Sequence, residues 1–232
     1  MVINQSNFPT YKIMIAFSVI VGILYIYNFL RKEKIPKKEL IIFFILFFII
    51  SILSGKLYTY IVVGFKGNYF KTGLSAYGGL IGVLIASIVY ECLYPRKGIV
   101  IKYTALSLPL IYTFTKIGCT FAGCCYGIPY DGPLAITYPH VSSESLFPIQ
   151  LLEVLVFIIM FMICNSNRDK KNIAYITLVS IAICKFLLDY LRSSHIGVIL
   201  SPNQIFSIIL LLITIIVYLI KRKKWEKSHF YY

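Results

Sequence analysis

Charged residues are scarce in this chain of 232 residues. Only 14% of the residues are Asp, Glu, Lys or Arg, and only nine of these are acidic. The hydrophobic fraction is 59% and the mean hydropathy is +0.81. A water-soluble globule needs more polar surface than this composition supplies, so that class of protein is excluded.

Basic residues outnumber acidic ones, but their arrangement argues against nucleic-acid binding. A phosphate-binding face needs clustered Lys and Arg, whereas here they form short runs between apolar stretches. Sixteen of the 23 basic residues lie in four such runs: Arg31–Lys38, Arg96–Lys102, Arg168–Lys171 and Lys221–Lys227. The positive-inside rule places all four runs in the cytoplasm. The sequence therefore predicts an orientation with the N-terminus outside and the C-terminus inside.

Apolar runs long enough to cross about 30 Å of hydrocarbon predict seven spans. They cover residues 11–30, 39–54, 76–94, 101–121, 148–164, 173–191 and 203–220, with the second and fifth short. The first run is followed by its basic residues, which is the reverse of a cleavable signal peptide. We expect an all-α integral membrane protein with seven transmembrane helices, N-out/C-in, forming one domain over residues 1–232. A small transporter or channel is disfavoured, because the charges are not repeated in two symmetric halves.

Two predicted outer connections are too long to be simple turns. Residues 55–75 include the aromatic, amphipathic stretch LYTYIVVGF, which predicts an interfacial or re-entrant segment after the second span. Residues 118–147 are rich in Gly, Pro and Tyr. This second connection is either an ordered loop or a plain extracellular loop.

Charged residues in the later spans are functional candidates, since an unpaired charge in hydrocarbon costs at least a few kcal/mol. They are Lys116, Glu153, Lys185, Asp189 and Arg192. The last three have the i, i+4, i+7 spacing of one helix face, which predicts a cationic stripe containing one carboxylate. The alternative is a structural ion pair with Arg192 at the helix end. Glu153 has an alternative as well, as a buried partner for Lys116 or Lys185.

Two glycine-rich stretches accompany these charges: AYGGLIG at 76–82 and KIGCTFAGCCYG at 116–127. Glycine in a membrane helix lets another backbone or a lipid headgroup approach closely, and the commoner use is helix packing. Lys and Arg donate charge-assisted hydrogen bonds to phosphate. Together the cations and glycines predict a polar cavity for an anionic headgroup.

Four segments in order, AYGGLIG, KIGCTFAGCCYG, FPIQLLE and KFLLDYLR, resemble the signature segments of the prolipoprotein diacylglyceryl transferase family. LSPNQIFSI resembles the start of that family's last span, so the resemblance extends from about Ala76 onward. It implies a multi-pass enzyme of the bacterial cytoplasmic membrane, expected to be monomeric. The family moves the diacylglyceryl group of phosphatidylglycerol to the thiol of a lipobox cysteine in a secreted precursor and releases glycerol phosphate. No metal or organic cofactor is expected.

The resemblance also implies roles for particular residues. The implied catalytic residues are Tyr77, Lys116, Lys185, Asp189 and Arg192, of which the three cations hold the departing phosphate. The implied substrate-binding residues are Gly78, Gly79, Gly118, Cys119, Gly123, Gly127, Gln150, Glu153 and Gln204. Among these, the glycines of the second motif shape the pocket, and Gln150, Glu153 and Asp189 orient the polar network.

Several positions depart from the family pattern. Tyr77 and Phe147 stand where the family usually has His, and Lys116 stands where it has Arg. Cys119 replaces an Asn and Cys124 an acidic residue, and Lys185 and Asp189 match an Arg and a Glu. Tyr77 is a substitute proton acceptor only if nearby cations stabilise its phenolate. The alternative function is therefore a non-catalytic or altered-acceptor relative that binds an anionic phospholipid or a peptide.

The cysteines do not form a recognisable disulfide framework. Cys92, Cys164 and Cys184 lie in or at the ends of apolar runs, where cysteine behaves as a small hydrophobic residue. Cys119, Cys124 and Cys125 have three alternatives: packing, a disulfide between Cys119 and Cys124, or reactivity. Metal binding is not expected, because His140 is the only nearby histidine and the spacing matches no familiar ligand pattern.

Overall fold

The computed structural model describes residues 2–3, 10–96 and 98–229, with side chains up to residue 222. Lys97 and the side chains of Lys223, Lys224 and Lys227, which contributed to the predicted orientation, lie outside the described residues. The helices are α1 (Thr10–Lys32), α2 (Lys37–Val62), α3 (Ala76–Leu93), α4 (Ile99–Ala122), α5 (Ile149–Ser166), α6 (Ile173–Leu188) and α7 (Pro202–His229). Two short strands, β1 (Ile136–Thr137) and β2 (Ser145–Leu146), pair between α4 and α5.

Within the described residues, seven helices are long and apolar enough to cross a membrane, as predicted. The central helix is α4, which packs against α1, α3, α5 and α6. Of its apolar window 78% is buried, against 22% for α1 and 17% for α7. The outer helices therefore present exposed apolar side chains, such as Leu24, Ile41 and Ile216, as lipid-facing helices do.

Local sequence signals explain where α4 ends and where α7 begins. Gly123 ends α4 in the left-handed conformation (φ +64°), and its N–H bonds the carbonyl of Cys119. Ser201 and Gln204 form a capping box at the start of α7: the Ser201 hydroxyl accepts from the Gln204 N–H, and the Gln204 amide oxygen accepts from the Ser201 N–H. Pro202 occupies the first helical position, where its missing N–H is harmless.

The second span is longer than predicted. The apolar run predicts an end at residue 54, before Gly55 and Lys56, but α2 continues to Val62 and includes most of the aromatic stretch that was predicted to form a separate segment. The chain then folds back along α2, so that Lys56 Nζ donates to the carbonyls of Phe70 (2.7 Å) and Thr72 (3.3 Å). The returning segment satisfies the lysine, and this is why a charge within the helix does not end it.

The described basic connections meet at one end of the bundle. The Arg96 guanidinium donates to the Glu39 carboxylate, with Nε 3.1 Å from Oε2, and joins the α3–α4 connection to the start of α2. The Arg168 guanidinium lies 5.4 Å from the centre of the Phe29 ring, which joins the α5–α6 connection to α1. Three basic connections therefore share a side, as the topology predicted.

The connection between α4 and α5 is ordered. Ile136 pairs with Leu146 and Thr137 with Ser145 in an antiparallel register. The Ile3 N–H donates to the carbonyl of Thr137 (3.0 Å), and Ile3, Ile136, Tyr138 and Leu146 form a small buried cluster. This cap covers the end of the bundle opposite the basic connections and holds the residues after α4 in place.

Candidate functional site

Three buried charges from three helices meet at the covered end of the bundle. Glu153, in the first turns of α5, is fully buried and lies between two lysines. Its Oε2 is 2.7 Å from Lys116 Nζ on α4, and its Oε1 is 3.2 Å from Lys185 Nζ in the last turn of α6. Tyr112 donates to Oε1 at 2.9 Å and accepts a hydrogen bond from Lys185. We call these four residues the Glu153 cluster.

Tyr77 borders the Glu153 cluster without joining its hydrogen bonds. Lys185 Nζ lies 5.3 Å from the centre of the Tyr77 ring, a cation–π contact with the ring face. The Tyr77 hydroxyl hydrogen-bonds to the Ser207 hydroxyl on α7 at 3.0 Å. The contact places the Lys185 charge over the ring and gives no support to a base at the Tyr77 oxygen.

The predicted cationic stripe on one helix is wrong. The helix α6 ends at Leu188, a 3-10 turn covers Asp189–Leu191, and Arg192 has extended backbone. The cause is pairing with the segment after α4: the Ile128 N–H donates to the carbonyl of Leu191 at 3.1 Å. Lys185 therefore faces Glu153, while Asp189 and Arg192 belong to a separate turn.

Asp189 is turned toward the start of α7. Its carboxylate accepts from the Ser201 hydroxyl and from the Asn203 side-chain amide (3.0 Å). Arg192 Nη1 is 3.6 Å from Asp189 Oδ1, a distance longer than a direct hydrogen bond. Tyr58 on α2 donates to the amide oxygen of Asn203, so this network extends across three elements.

Arg192 has hydrogen-bonding capacity to spare. The residue is 7% exposed, and its Nε has no hydrogen-bond partner among the described residues. Burial opposes its charge, but the Glu153 carboxylate, together with Cys125, raises the pKa of the guanidinium above its ordinary value. The negative charge of Glu153 therefore stabilises the charge of Arg192, and the buried Arg192 Nε–H remains available as a hydrogen-bond donor.

The two predicted glutamines have different surroundings. Gln150 is fully buried at the start of α5, and its side-chain amide donates to the carbonyl of Cys124 (3.0 Å) and the Tyr138 hydroxyl (3.3 Å). Its amide oxygen has no partner among the described residues. Gln204 bonds Ser201 in the capping box and donates to the carbonyl of Phe186 (3.3 Å). The structure thus uses Gln204 to join α7 to α6.

Most of the predicted binding glycines are packing positions. An added Cβ would lie 2.4 Å from the Tyr58 Cβ at Gly78, 2.8 Å from the Met14 Cβ at Gly118, and 2.4 Å from the Phe147 carbonyl oxygen at Gly127. At Gly123 it would lie 2.6 Å from the His140 ring nitrogen. Protein, rather than a headgroup, fills the space beside these four glycines. Gly79 differs, because its nearest neighbour would be 3.9 Å away.

The glycines of AYGGLIG permit a matched pair of substitutions. Gly82→Ala places a methyl group 2.6 Å from the Ser51 Cα and should destabilise the protein by about 1–3 kcal/mol by forcing α2 and α3 apart. Gly79→Ala meets no such contact and should be neutral or stabilising by up to ~1 kcal/mol. Thermal unfolding in detergent measures both, and equal midpoints would contradict the close packing of these helices.

The three cysteines of the second motif come together as free thiols, so the disulfide alternative is not what the structure shows. Their sulfur atoms lie within 4.8 Å of one another. Cys119 is buried, Cys124 is half-buried and Cys125 is exposed. Interaction with the other two thiols, aided by the charges of Lys116 and Arg192, holds the pKa of Cys125 well below its ordinary value. The pKa of Cys124 is raised to about 11, because Cys125 and burial outweigh the opposing effect of Cys119. We call these three residues the thiol cluster.

Some residues of these networks were not predicted from the sequence. Tyr112 lies four residues before Lys116 on α4, and that spacing places both on one face, so it was a detectable signal. The Ser-Pro-Asn-Gln capping box was a second signal, and it would have identified Ser201. Tyr58 and Ser207 carried no such signal, because their partners are 145 and 130 residues away along the chain.

A model of the family described as prolipoprotein diacylglyceryl transferase matches residues 1–220. The chain belongs to this family. The family match covers both clusters, the first six spans and most of the seventh, and it confirms the resemblance read from the motifs.

Curated relatives carry the same name. A phosphatidylglycerol–prolipoprotein diacylglyceryl transferase of Clostridium perfringens is 28% identical over 208 residues, which is 79% of each chain. One of Clostridium tetani is 27% identical over 233 residues, covering 91% of this chain and 92% of the relative. One of Legionella pneumophila is 29% identical over 162 residues, covering 65% and 63%.

Proposed function

We propose that this family member transfers the diacylglyceryl group of phosphatidylglycerol to the cysteine thiol of a lipobox-containing secreted precursor. Its relatives are named for this reaction. The observation that carries the proposal is the set of buried charges: Lys116, Lys185 and Arg192 against Glu153 and Asp189. One cation is in excess, which suits an anionic headgroup.

The depth of the Glu153 cluster fits this reaction. Lys116 lies near the end of α4, Glu153 near the start of α5 and Lys185 in the last turn of α6, all opposite the basic connections. With the basic connections in the cytoplasm, the Glu153 cluster lies toward the outer side of the membrane. A secreted precursor presents its lipobox on that side, and phosphatidylglycerol reaches the site within the bilayer.

The charges support the departure of phosphate. In the reaction, the acceptor sulfur attacks the terminal glyceryl carbon of the diacylglyceryl group, and the bond from that carbon to the phosphate oxygen breaks. Negative charge grows on the departing glycerol phosphate, so preorganised cations lower the barrier. Arg192, whose Nε has no partner among the described residues, is assigned to the phosphate, and the two lysines are assigned to the same negative charge.

A direct assay tests this function. Purified protein in vesicles containing phosphatidylglycerol should release glycerol phosphate when a peptide with one lipobox cysteine is added. The peptide with Ser at that position and vesicles of phosphatidylcholine alone should give no release. Absence of release with the cysteine peptide, from protein that elutes as a single folded species, would contradict the proposal and favour the non-catalytic alternative.

Lys116 provides a sharper test of the site. Lys116→Ala should lower the rate of glycerol phosphate release by about 100-fold or more, because one preorganised cation facing the phosphate is lost. Lys66→Ala removes an exposed lysine on the same side of the protein and should leave the rate unchanged. Equal rates for the two variants would show that Lys116 has no part in the reaction.

A further inference from the structure

We propose that Cys119, Cys124 and Cys125 bind a zinc ion whose open coordination position takes the acceptor thiol. This inference deepens the proposed function and rests on it for the identity of the acceptor. The spacing of these cysteines along the sequence matches no familiar ligand pattern and therefore predicts no metal site. In the structure, a tight turn after the end of α4 brings the three thiols together.

The backbone of this turn is held in an uncommon conformation. Gly123 has φ +64° and Cys125 has φ +58°, a region that a non-glycine residue seldom occupies. Together they reverse the chain just after α4, so that the sulfurs of Cys124 and Cys125 return to within 4.8 Å of the Cys119 sulfur. The Cys124 thiol donates to the backbone carbonyl of Cys119 at 3.9 Å. Strain of this kind persists where surrounding structure enforces it, commonly at functional sites.

The sulfur spacing suits zinc after a small contraction. Tetrahedral zinc with Zn–S distances of about 2.3 Å places its sulfurs about 3.8 Å apart. In the structure the sulfur atoms lie within 4.8 Å of one another. Zinc would draw them closer by rotation of side chains, above all that of the exposed Cys125. Three protein ligands leave the fourth position of a tetrahedral ion open, as in catalytic rather than structural zinc sites.

The surroundings balance the charge of such a site. Three thiolates and one Zn²⁺ carry a net charge of −1, and a fourth thiolate makes it −2. Lys116 lies one turn before Cys119 on α4, and Arg192 pairs with Gly127, two residues after Cys125, so both cations lie near the thiol cluster and offset this charge. The Cys124 carbonyl is held by the Gln150 side-chain amide at 3.0 Å, a contact outside the ligand set that fixes the turn.

Neither buried carboxylate of the site is well suited to remove the proton of the acceptor thiol. Glu153 is paired with both lysines and accepts from Tyr112, and Asp189 accepts from Ser201 and Asn203. A carboxylate engaged in this way is a poor base. Zinc would activate the acceptor thiol without a protein base, because a thiol that coordinates zinc loses its proton while its sulfur remains a nucleophile.

The step balances as follows. The acceptor thiol binds zinc and releases its proton to water. Its sulfur then forms a bond to the glyceryl carbon of phosphatidylglycerol as the carbon–oxygen bond breaks, and the electron pair leaves with glycerol phosphate. The resulting thioether is neutral, binds zinc weakly and departs. No oxidant or reductant is needed, and the three protein thiolates are unchanged.

Metal content and the cobalt spectrum test the zinc site itself. Full-length protein purified in detergent and incubated with Zn²⁺ should retain one zinc per chain after desalting. Protein loaded with Co²⁺ should show thiolate-to-cobalt charge transfer and the intense visible bands of tetrahedral cobalt. Cys119→Ser, Cys124→Ser and Cys125→Ser should each weaken binding by about 100-fold or more. Protein that retains no zinc and gives no cobalt bands would overturn the proposal.

Matched controls separate ligand loss from misfolding. Cys164→Ser removes a buried thiol, as Cys119→Ser does, and Cys92→Ser removes an exposed one, as Cys125→Ser does. Both controls should bind Co²⁺ like the unmodified chain, and all five variants should elute identically from a sizing column. If the controls lose cobalt to the same extent as the cluster variants, the thiol cluster is not the site.

A second readout tests the open position independently of transfer. Adding the lipobox cysteine peptide to the cobalt-loaded protein should increase the thiolate charge-transfer band, and the serine peptide should not. An unchanged band would overturn thiol binding at the metal. Zinc-free protein should release glycerol phosphate at least about tenfold more slowly than zinc-loaded protein. Equal rates would overturn the activating role, whereas cobalt binding without any release would contradict the proposed function alone.

Discussion

Glu153→Gln is expected to destabilise the protein more than any other single substitution considered for the site. The carboxylate is fully buried and neutralises two buried lysines, at 2.7 Å from Lys116 and 3.2 Å from Lys185. Gln retains the shape but leaves two adjacent cations without a counter-charge. Breaking a buried ion pair from one side costs about 3–5 kcal/mol, so we expect a large fall in thermal midpoint and loss of transfer activity.

A double substitution distinguishes charge from shape. Adding Lys185→Met to Glu153→Gln removes one of the stranded cations and should recover a substantial part of the lost stability. Glu144→Gln, which changes an exposed carboxylate of the α4–α5 connection, should have no measurable effect on the midpoint. A midpoint for Glu153→Gln equal to that of Glu144→Gln would contradict the central pairing.

Arg192→Ala should also cause a large loss of activity, but with a smaller loss of stability than Glu153→Gln. The guanidinium is 3.6 Å from Asp189, its Nε has no partner among the described residues, and Asp189 keeps Ser201 and Asn203 as donors. Little native bonding is therefore lost. Removing a preorganised donor to the departing phosphate should lower kcat/KM about 100-fold or more.

Conservative and remote variants test this assignment of Arg192. Arg192→Lys keeps the charge but loses the planar set of donors, so it should recover activity only in part. Arg168→Ala removes a guanidinium at the opposite end of the bundle and should leave kcat/KM unchanged. Both are measured with labelled phosphatidylglycerol in vesicles. If Arg192→Ala retains full activity, the phosphate is held elsewhere.

The seven spans could be predicted because hydropathy and basic runs depend on composition alone. The end of the second span could not, since Lys56 is satisfied by carbonyls of Phe70 and Thr72 that return only after a loop. The pairing of Glu153 with lysines was foreseen as an alternative. That both lysines reach it depends on how α4, α5 and α6 pack, which the sequence does not specify.

The site was less predictable where the backbone leaves helical geometry. Helical spacing placed Lys185 and Arg192 on one face, but pairing of Ile128 with Leu191 ends the helix between them. The sequence singled out Cys119, Cys124 and Cys125, but the approach of all three sulfurs could not be predicted for the same reason, because Cys125 reaches Cys119 through the left-handed turn at Gly123. The sequence also does not show which glycines are needed for close packing, since Gly78 packs against α2 while its neighbour Gly79 has room for a side chain.

Mass spectrometry of the acceptor cysteine tests the central claim most directly. Lipobox-containing precursors should be isolated from bacterial cells that depend on this protein, on its Lys116→Ala variant or on its Lys66→Ala variant. We predict a diacylglyceryl mass on the lipobox cysteine with the unmodified protein and with Lys66→Ala, and an unmodified cysteine with Lys116→Ala. An unmodified cysteine in every sample, with the protein present and folded in the membrane, would contradict the account.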